Sequence, residues 1–311
     1  MNEPSRPLTG LPRRRFLKGL GAAALAAGLR PVWSAAVPEK LPPLRILYYT
    51  DVHCRPDLSA PEALAKAAEA MKPIPADIVL CGGDVINTGL RAPANDCEPL
   101  FDIYDGFLKA LARPVEHALG NHDLAGISDP PNPAANPREL AMRRLGIVEP
   151  YRTVDVGDYR VMILDSVEVI PGPQIYRGYI SPVQKAWIAD ELSRIPKEQP
   201  IILLTHIPFR STFLQAKENP TAALKNNLVV ENANEVLDLF RDHRLPVVLQ
   251  GHLHSDEHID WAGRHFIQGG AVCAGWWKGP NLQTDFGFGL LEIADNTIRW
   301  NYTPYGWTAK V

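Results

Sequence analysis

No CxxC pair and no cysteine cluster occur in this 311-residue chain: its four cysteines, Cys54, Cys81, Cys97 and Cys273, stand far apart. That spacing excludes a disulfide scaffold and a thiolate zinc site, and leaves ordinary buried thiols with at most one bridge. A long apolar run is also missing. The longest stretch, Gly19 to Leu29, is about half the ~20 residues that cross a bilayer, so no stable membrane insertion is expected. Basic excess is absent as well, since the formal net charge is −3. Residues 1–36 hold six Lys/Arg and one Asp/Glu; without them 26 basic residues face 34 acidic ones, a net of −8. A body this acidic lacks the broad cationic surface of a sequence-independent nucleic-acid binder, so a small or flexible substrate is expected. Nor is there an internal repeat or a low-complexity linker, which favours one domain from Leu44 to the end.

What is present begins with an address. Residues 13–18 read Arg-Arg-Arg-Phe-Leu-Lys, followed by the apolar stretch, Arg30 and the small-residue end Ser34-Ala35-Ala36. The segment resembles a twin-arginine signal, which implies cleavage before Val37, a short linker over 37–43, and the twin-arginine export machinery as a partner. The mature protein would then be periplasmic or secreted. An uncleaved N-terminal anchor is the alternative. Because that route carries proteins already folded, it suits a chain loaded with metal before export.

Five short runs rich in Val, Ile, Leu and Tyr read as buried strands: 44–50, 77–81, 114–119, 201–205 and 247–250. Helical patterns lie between them at 60–71, 99–111, 138–145 and 233–242. The clearest starts at Ser181, with Pro182 at the first helical position, Gln184 completing a capping box, and Val183, Trp187, Ile188, Leu192 and Ile195 on one face. The alternation indicates an α/β core. Residues 151–166 and 256–303 are strand-rich, so antiparallel pairing should complete the sheet. Two loops stand out, 126–137 with four prolines and 207–232 without a pattern of its own.

Polar residues fall at the ends of the strands. The first ends in Asp51-Val52-His53, the second in Gly82-Gly83-Asp84, the third in Gly120-Asn121-His122-Asp123, the fourth in His206 and the fifth in Gly251-His252-Leu253-His254. In an α/β sheet the C-terminal strand ends share one edge, so motifs 200 residues apart can converge. Within Asp-x-His and His-x-His, the two side chains share one side of an extended segment. An Asp, Asn and His inventory without thiolate suits Mn, Fe, Zn, Ni or Co. His117, His243, His258 and His265 lie outside the motifs and read as surface or structural histidines.

In order, Asp51-x-His53, Gly83-Asp84, Gly120-Asn121-His122, His206 and Gly251-His252-x-His254 match the motif set of the calcineurin-like metallophosphoesterases, which this chain resembles from Leu44 to its tail. The resemblance implies a two-sheet mixed β-sandwich flanked by α-helices. It also implies one metal on Asp51, His53, Asp84 and His254, a second on Asp84, Asn121, His206 and His252, and Asp84 as the bridge. Asn87, three residues after Asp84, replaces the Tyr of purple acid phosphatases. Thr88-Gly89 and Leu119 replace the Arg elements of the Ser/Thr protein phosphatases. The pattern is nearer the smaller bacterial phosphodiesterases, although those usually lack the export signal and the Trp276-Trp277-Lys278 segment.

Two close ions would activate a bridging water and clamp phosphoryl oxygens. His122, outside the ligand set, is placed to protonate the leaving oxygen, and Asp123 either orients His122 or caps its loop. Trp276, Trp277 and Lys278 either grip a base, sugar or lipid head or pack as core. Arg210 is a second candidate phosphate clamp. The expected function is hydrolysis of a small phosphate ester, a diester before a monoester; a nucleotidase, a nuclease and a metal-binding module without turnover are the alternatives.

Overall fold

The computed structural model describes residues 40–310 apart from 129, 133 and 134. The segment that resembles an export signal therefore lies outside the described residues. In chain order the elements are β1 (Leu44–Tyr49), α1 (Ala60–Met71), β2 (Ile78–Cys81), α2 (Ala94–Leu111), β3 (Glu116–His117), α3 (Glu139–Leu145), β4 (Arg152–Val156), β5 (Tyr159–Ile163), β6 (Val167–Val169) and β7 (Tyr176–Gly178). There follow α4 (Pro182–Arg194), β8 (Ile201–Leu204), α5 (Phe213–Lys217), α6 (Ala233–Leu239), β9 (Val247–Gln250), β10 (Asp256–Trp261), β11 (Arg264–Gly269), β12 (Gly287–Ala294) and β13 (Thr297–Pro304).

Two mixed sheets face one another. The first runs β13-β12-β1-β2-β3, with β1, β2 and β3 parallel and the tail hairpin antiparallel beside β1. The second runs β10-β11-β9-β8-β5-β4, parallel from β11 to β5 with an antiparallel strand at each edge. Period-two alternation explains the layering. From β1, Ile46 and Tyr48 enter the core between the sheets with Val161, Ile202, Leu204, Leu249 and Leu291. Leu47 and Tyr49 point the other way, into the core under α1 and α2. In β8, Leu203 joins the outer core that α4 and α6 cover. The central strands of both sheets are thus buried on two faces, as their near-continuous apolar runs require.

Sequence and structure differ at three places in the framework. The third strand is only two residues long, and α2 starts at Ala94, five residues before the expected start at 99, with Pro99 inside the helix. In α4 the Ser181 hydroxyl accepts from the Gln184 N–H at 3.1 Å as expected, but the Gln184 amide turns to the backbone of Asp165 and Val183 is 71% exposed. The capping box is half formed because the buried Asp165 backbone groups need that partner more. All four cysteines are buried and free. Among the described residues, no helix is long and apolar enough to cross a membrane.

Candidate metal centre

At the C-terminal ends of β1, β2, β3, β8 and β9 the chain turns abruptly, and the turn residues carry the motif side chains. Asp51, His53, Asp84, His252 and His254 all have positive φ, between 46° and 79°. For non-glycine residues this costs of order 1–3 kcal/mol each and persists only where surrounding bonds enforce it. They do: the Asp51 and His53 N–H groups donate to the Gly83 and Asp84 carbonyls at 3.0 Å, and the Cys273 N–H donates to the Asp51 carbonyl. Close approach also demands glycine at two points. A Cβ on Gly120 would fall on the Asp84 carboxylate, and one on Gly251 would strike Thr50 and Asp51.

Two clusters meet at Asp84. In one, Asp51 Oδ1 lies 3.3 Å from His254 Nε2, and His53 Nε2 lies 3.1 Å from His254 Nε2 and 3.6 Å from Asp84 Oδ2. In the other, His206 Nε2 lies 3.3 Å from the same Asp84 oxygen, 3.2 Å from Asn121 Oδ1 and 3.2 Å from His252 Nδ1. His252 is half-buried and the rest are buried.

Backbone carbonyls fix three of the rings. Gly82 receives a hydrogen bond from His206 Nδ1 at 2.8 Å, Ala274 from His254 Nδ1 at 2.7 Å, and Asn227 from His252 Nε2 at 2.8 Å. Because a carbonyl only accepts, those nitrogens carry protons, and the opposite nitrogens face the clusters. There they confront one another and the carboxylates at little more than 3 Å, an arrangement that needs positive charge between its members. Protons can supply some of it: burial opposes charging of His206, yet Asp84 and Asp51 raise it to about 9. Conversely, burial pushes Asp51 up, but His254 and His206 more than reverse this and bring it to about 2. Divalent cations fit the donor set better, since imidazole nitrogen, carboxylate and amide oxygen converge without a bridging proton. The ligand atoms of Asp84, His206 and His252 lie within 4.8 Å of one another, as do those of His53, Asp84 and His122. So do those of His53, His254 and Cys273. Cys273 carries no motif signal and reaches His254 Nδ1, at 3.6 Å, through packing alone.

Residues 44–256, more than half of the chain, match the family model described as calcineurin-like phosphoesterase. This chain belongs to that family. The family implies a dinuclear divalent metal centre, which the two clusters about Asp84 can accommodate. A dimetal phosphatase from Danio rerio is similar in fold, with a TM-score of 0.60 at 15% identity over 84% of this chain and 96% of that one. So is a protein of Thermus thermophilus, with a TM-score of 0.52 at 14% identity over 84% and 99%. A putative 5'-nucleotidase from Staphylococcus aureus gives 0.53 at 15% identity, over 87% of this chain and 56% of that one. No curated protein matches the sequence.

Beside the clusters opens a cleft of about 240 Å³, lined on the metal side by Asp84, Asn121, His122, His252 and His254. His122 donates its backbone N–H to Asp84 Oδ1 at 2.7 Å and its Nδ1 faces the Asn87 carbonyl at 2.9 Å. Asp123 does not pair with His122, contrary to the expectation from their adjacency. Its carboxylate turns away and accepts the backbone N–H groups of Asp84, Val85 and Gly120 at 2.8–2.9 Å. Burial and then the Asp84 charge raise it to about 7, against the pull of those donors. Asp123 is thus a loop residue that holds the Asp84 and Gly120 turns.

The tryptophan pair separates. Trp276, 39% exposed, packs over His53 with ring centroids 4.1 Å apart and borders His122 and His254. Trp277 is fully buried, stacked on Phe286, and donates its indole N–H to the His53 carbonyl at 2.9 Å, so it is core and not a substrate contact. Lys278 is exposed and does not line the cleft. Arg210 is also elsewhere: its guanidinium bonds Phe209 and Asn234 and lies over Trp261 and Phe266. The remaining walls come from Leu253, the unassigned position of the last motif, and from residues that no motif marks, Tyr176, Phe213, Lys217, Leu228 and Asn281.

Proposed function

We propose that the chain is an exported two-metal hydrolase acting on phosphodiesters, with the ligand split about Asp84 set out above. Two divalent ions held there would activate water and offset charge on the phosphoryl oxygens. The chain's own residues supply the rest. Donation of Nδ1–H to the Asn87 carbonyl leaves His122 Nε2 as the nitrogen free to deliver a proton to the departing alkoxide. Trp276 shields the His53 and His254 side of the cluster from water. The phenol of Tyr176 stays protonated, because burial and then the Asp84 charge raise it far above its ordinary value, and its ring meets His252 edge-on.

The observation that carries the diester preference is the cation content of the cleft. Among the described residues lining it there is no arginine, and Lys217 is the one basic side chain beyond the histidines. A dianionic monoester is ordinarily held by a bidentate arginine fork, whereas a monoanionic diester needs less positive charge. Turnover of bis-p-nitrophenyl phosphate against p-nitrophenyl phosphate by the metal-loaded protein tests it, and faster turnover of the monoester would reverse the reading. His122→Asn should keep the metals yet lose about 10² to 10⁴ in rate on alkyl diesters, with a smaller loss on p-nitrophenolate esters. Equal losses on both would remove the acid role. Export rests on Arg13-Arg14 and the Ser34-Ala35-Ala36 end; lysine at both arginines should hold the precursor in the cytoplasm, and unchanged export would reject the route.

A further inference from the structure

We infer that the outer wall of the cleft receives an apolar organic group of the phosphoester, alkyl or aryl, in preference to a sugar or other polyol. This rests on the phosphoester reading above. Phe213, Leu214 and Leu253 form a small apolar cluster of their own, with Ala222, Leu224 and half-buried Leu228 packed against it. This cluster is separate from the three large cores, and Phe213, Leu228 and Leu253 turn part of it toward the ligand side chains. It is built by the 207–232 segment folding back over the centre, where the Asn227 carbonyl also fixes the His252 ring.

The amide donor of that wall is already engaged. Asn281 gives its amide N–H groups to the Leu253 and His254 carbonyls, both at 3.0 Å. A polyol entering here would exchange water for a surface with few free partners, and each unpaired hydroxyl costs on the order of 1–3 kcal/mol. An alkyl chain or phenyl ring loses nothing and gains burial. Lys217 lines the cleft with its ammonium over the Phe213 ring at 5.2 Å, so an anionic ester can approach. At about 240 Å³ the cleft takes a ring or a short chain.

Calorimetry with the metal-loaded full chain tests this through non-hydrolysable probes. Across methyl-, ethyl-, propyl- and butylphosphonate, Kd should tighten by about fourfold per methylene. Propylphosphonate should bind at least tenfold more tightly than 2,3-dihydroxypropylphosphonate. Leu228→Asn should flatten the series, while Phe213→Leu should retain it. A flat series, or tighter binding of the dihydroxy probe, overturns the inference even if diesters are turned over. A rising series with no turnover of any ester would sink the hydrolase reading and leave this one standing, and absence of all phosphonate binding would sink both.

Discussion

Replacing Trp277 by Phe should chiefly destabilise the protein, and replacing its neighbour Trp276 by Ala should chiefly lower its turnover. Trp277 is fully buried and its indole N–H satisfies the His53 carbonyl. Truncating a buried Trp to Ala costs about 3–5 kcal/mol, and Phe, which keeps a six-membered ring, about a third of that. Leaving the carbonyl without its donor adds about 1–3 kcal/mol, for a total of about 2–5 kcal/mol. The loss reaches the metal centre as well, because Ala274, Trp276 and Trp277 all hold positive φ and that turn rests on the buried indole. Trp276, by contrast, is partly exposed and packs only one flank against imidazoles. Trp276→Ala should cost under about 1 kcal/mol in stability and lower kcat/KM by about two- to tenfold, the worth of one aromatic contact. Urea denaturation of the metal-loaded proteins and steady-state kinetics on one diester separate the two effects. Should Trp277→Phe raise KM at unchanged stability, or Trp276→Ala be the variant that unfolds, the division of roles would be wrong.

Asp84→Asn should lower occupancy of both metals together, because one Asp84 oxygen faces His53 and His206 at 3.6 and 3.3 Å; metal analysis showing loss of one ion alone would refute the bridge. His117 gives a pH test away from the centre, since burial and then Arg152 depress it to about 3 while its Nε2 meets the Tyr104 hydroxyl at 2.8 Å. The unfolded chain protonates this group near 6.5 and the folded one does not, so its contribution is complete above that pH and is lost as pH falls toward 3. His117→Gln should therefore remove about 2 kcal/mol of the stability difference between pH 7 and pH 5, and an unchanged difference by urea denaturation would contradict the neutral assignment.

The side chains that converge about Asp84 were legible because they are fixed by local rules. A buried strand reads as an apolar run, its end as a glycine or polar residue, and parallel strands place those ends along one edge. The five motifs needed no knowledge of long-range packing to be found. Asp123 shows where adjacency misleads: His122 and Asp123 are neighbours in sequence, yet the turn sends one side chain to the cleft and the other to the backbone N–H groups of Asp84, Val85 and Gly120. The same holds for Trp276 and Trp277, whose opposite fates follow from consecutive positive φ angles that no residue type announces.

Arg210 and the cleft walls mark a further limit, and it explains why ligands are easier to read than specificity. Arg210 stands four residues after His206, but Gln250 accepts the Phe209 and Arg210 N–H groups and turns the segment away, toward Trp261 and Phe266. Phe213, Lys217 and Leu228 reach the cleft because the following loop closes on β7, where the Gly178 N–H donates to the Asn226 carbonyl at 2.7 Å and Gly178 pairs with Val230. A Cβ on Gly178 would strike the Val229 carbonyl, so that closure depends on a glycine roughly fifty residues from the loop it admits. Metal ligands are imposed by strand ends and fixed spacings. Substrate-facing residues are imposed by contacts between segments that are distant in sequence, and only the folded chain brings them to one wall.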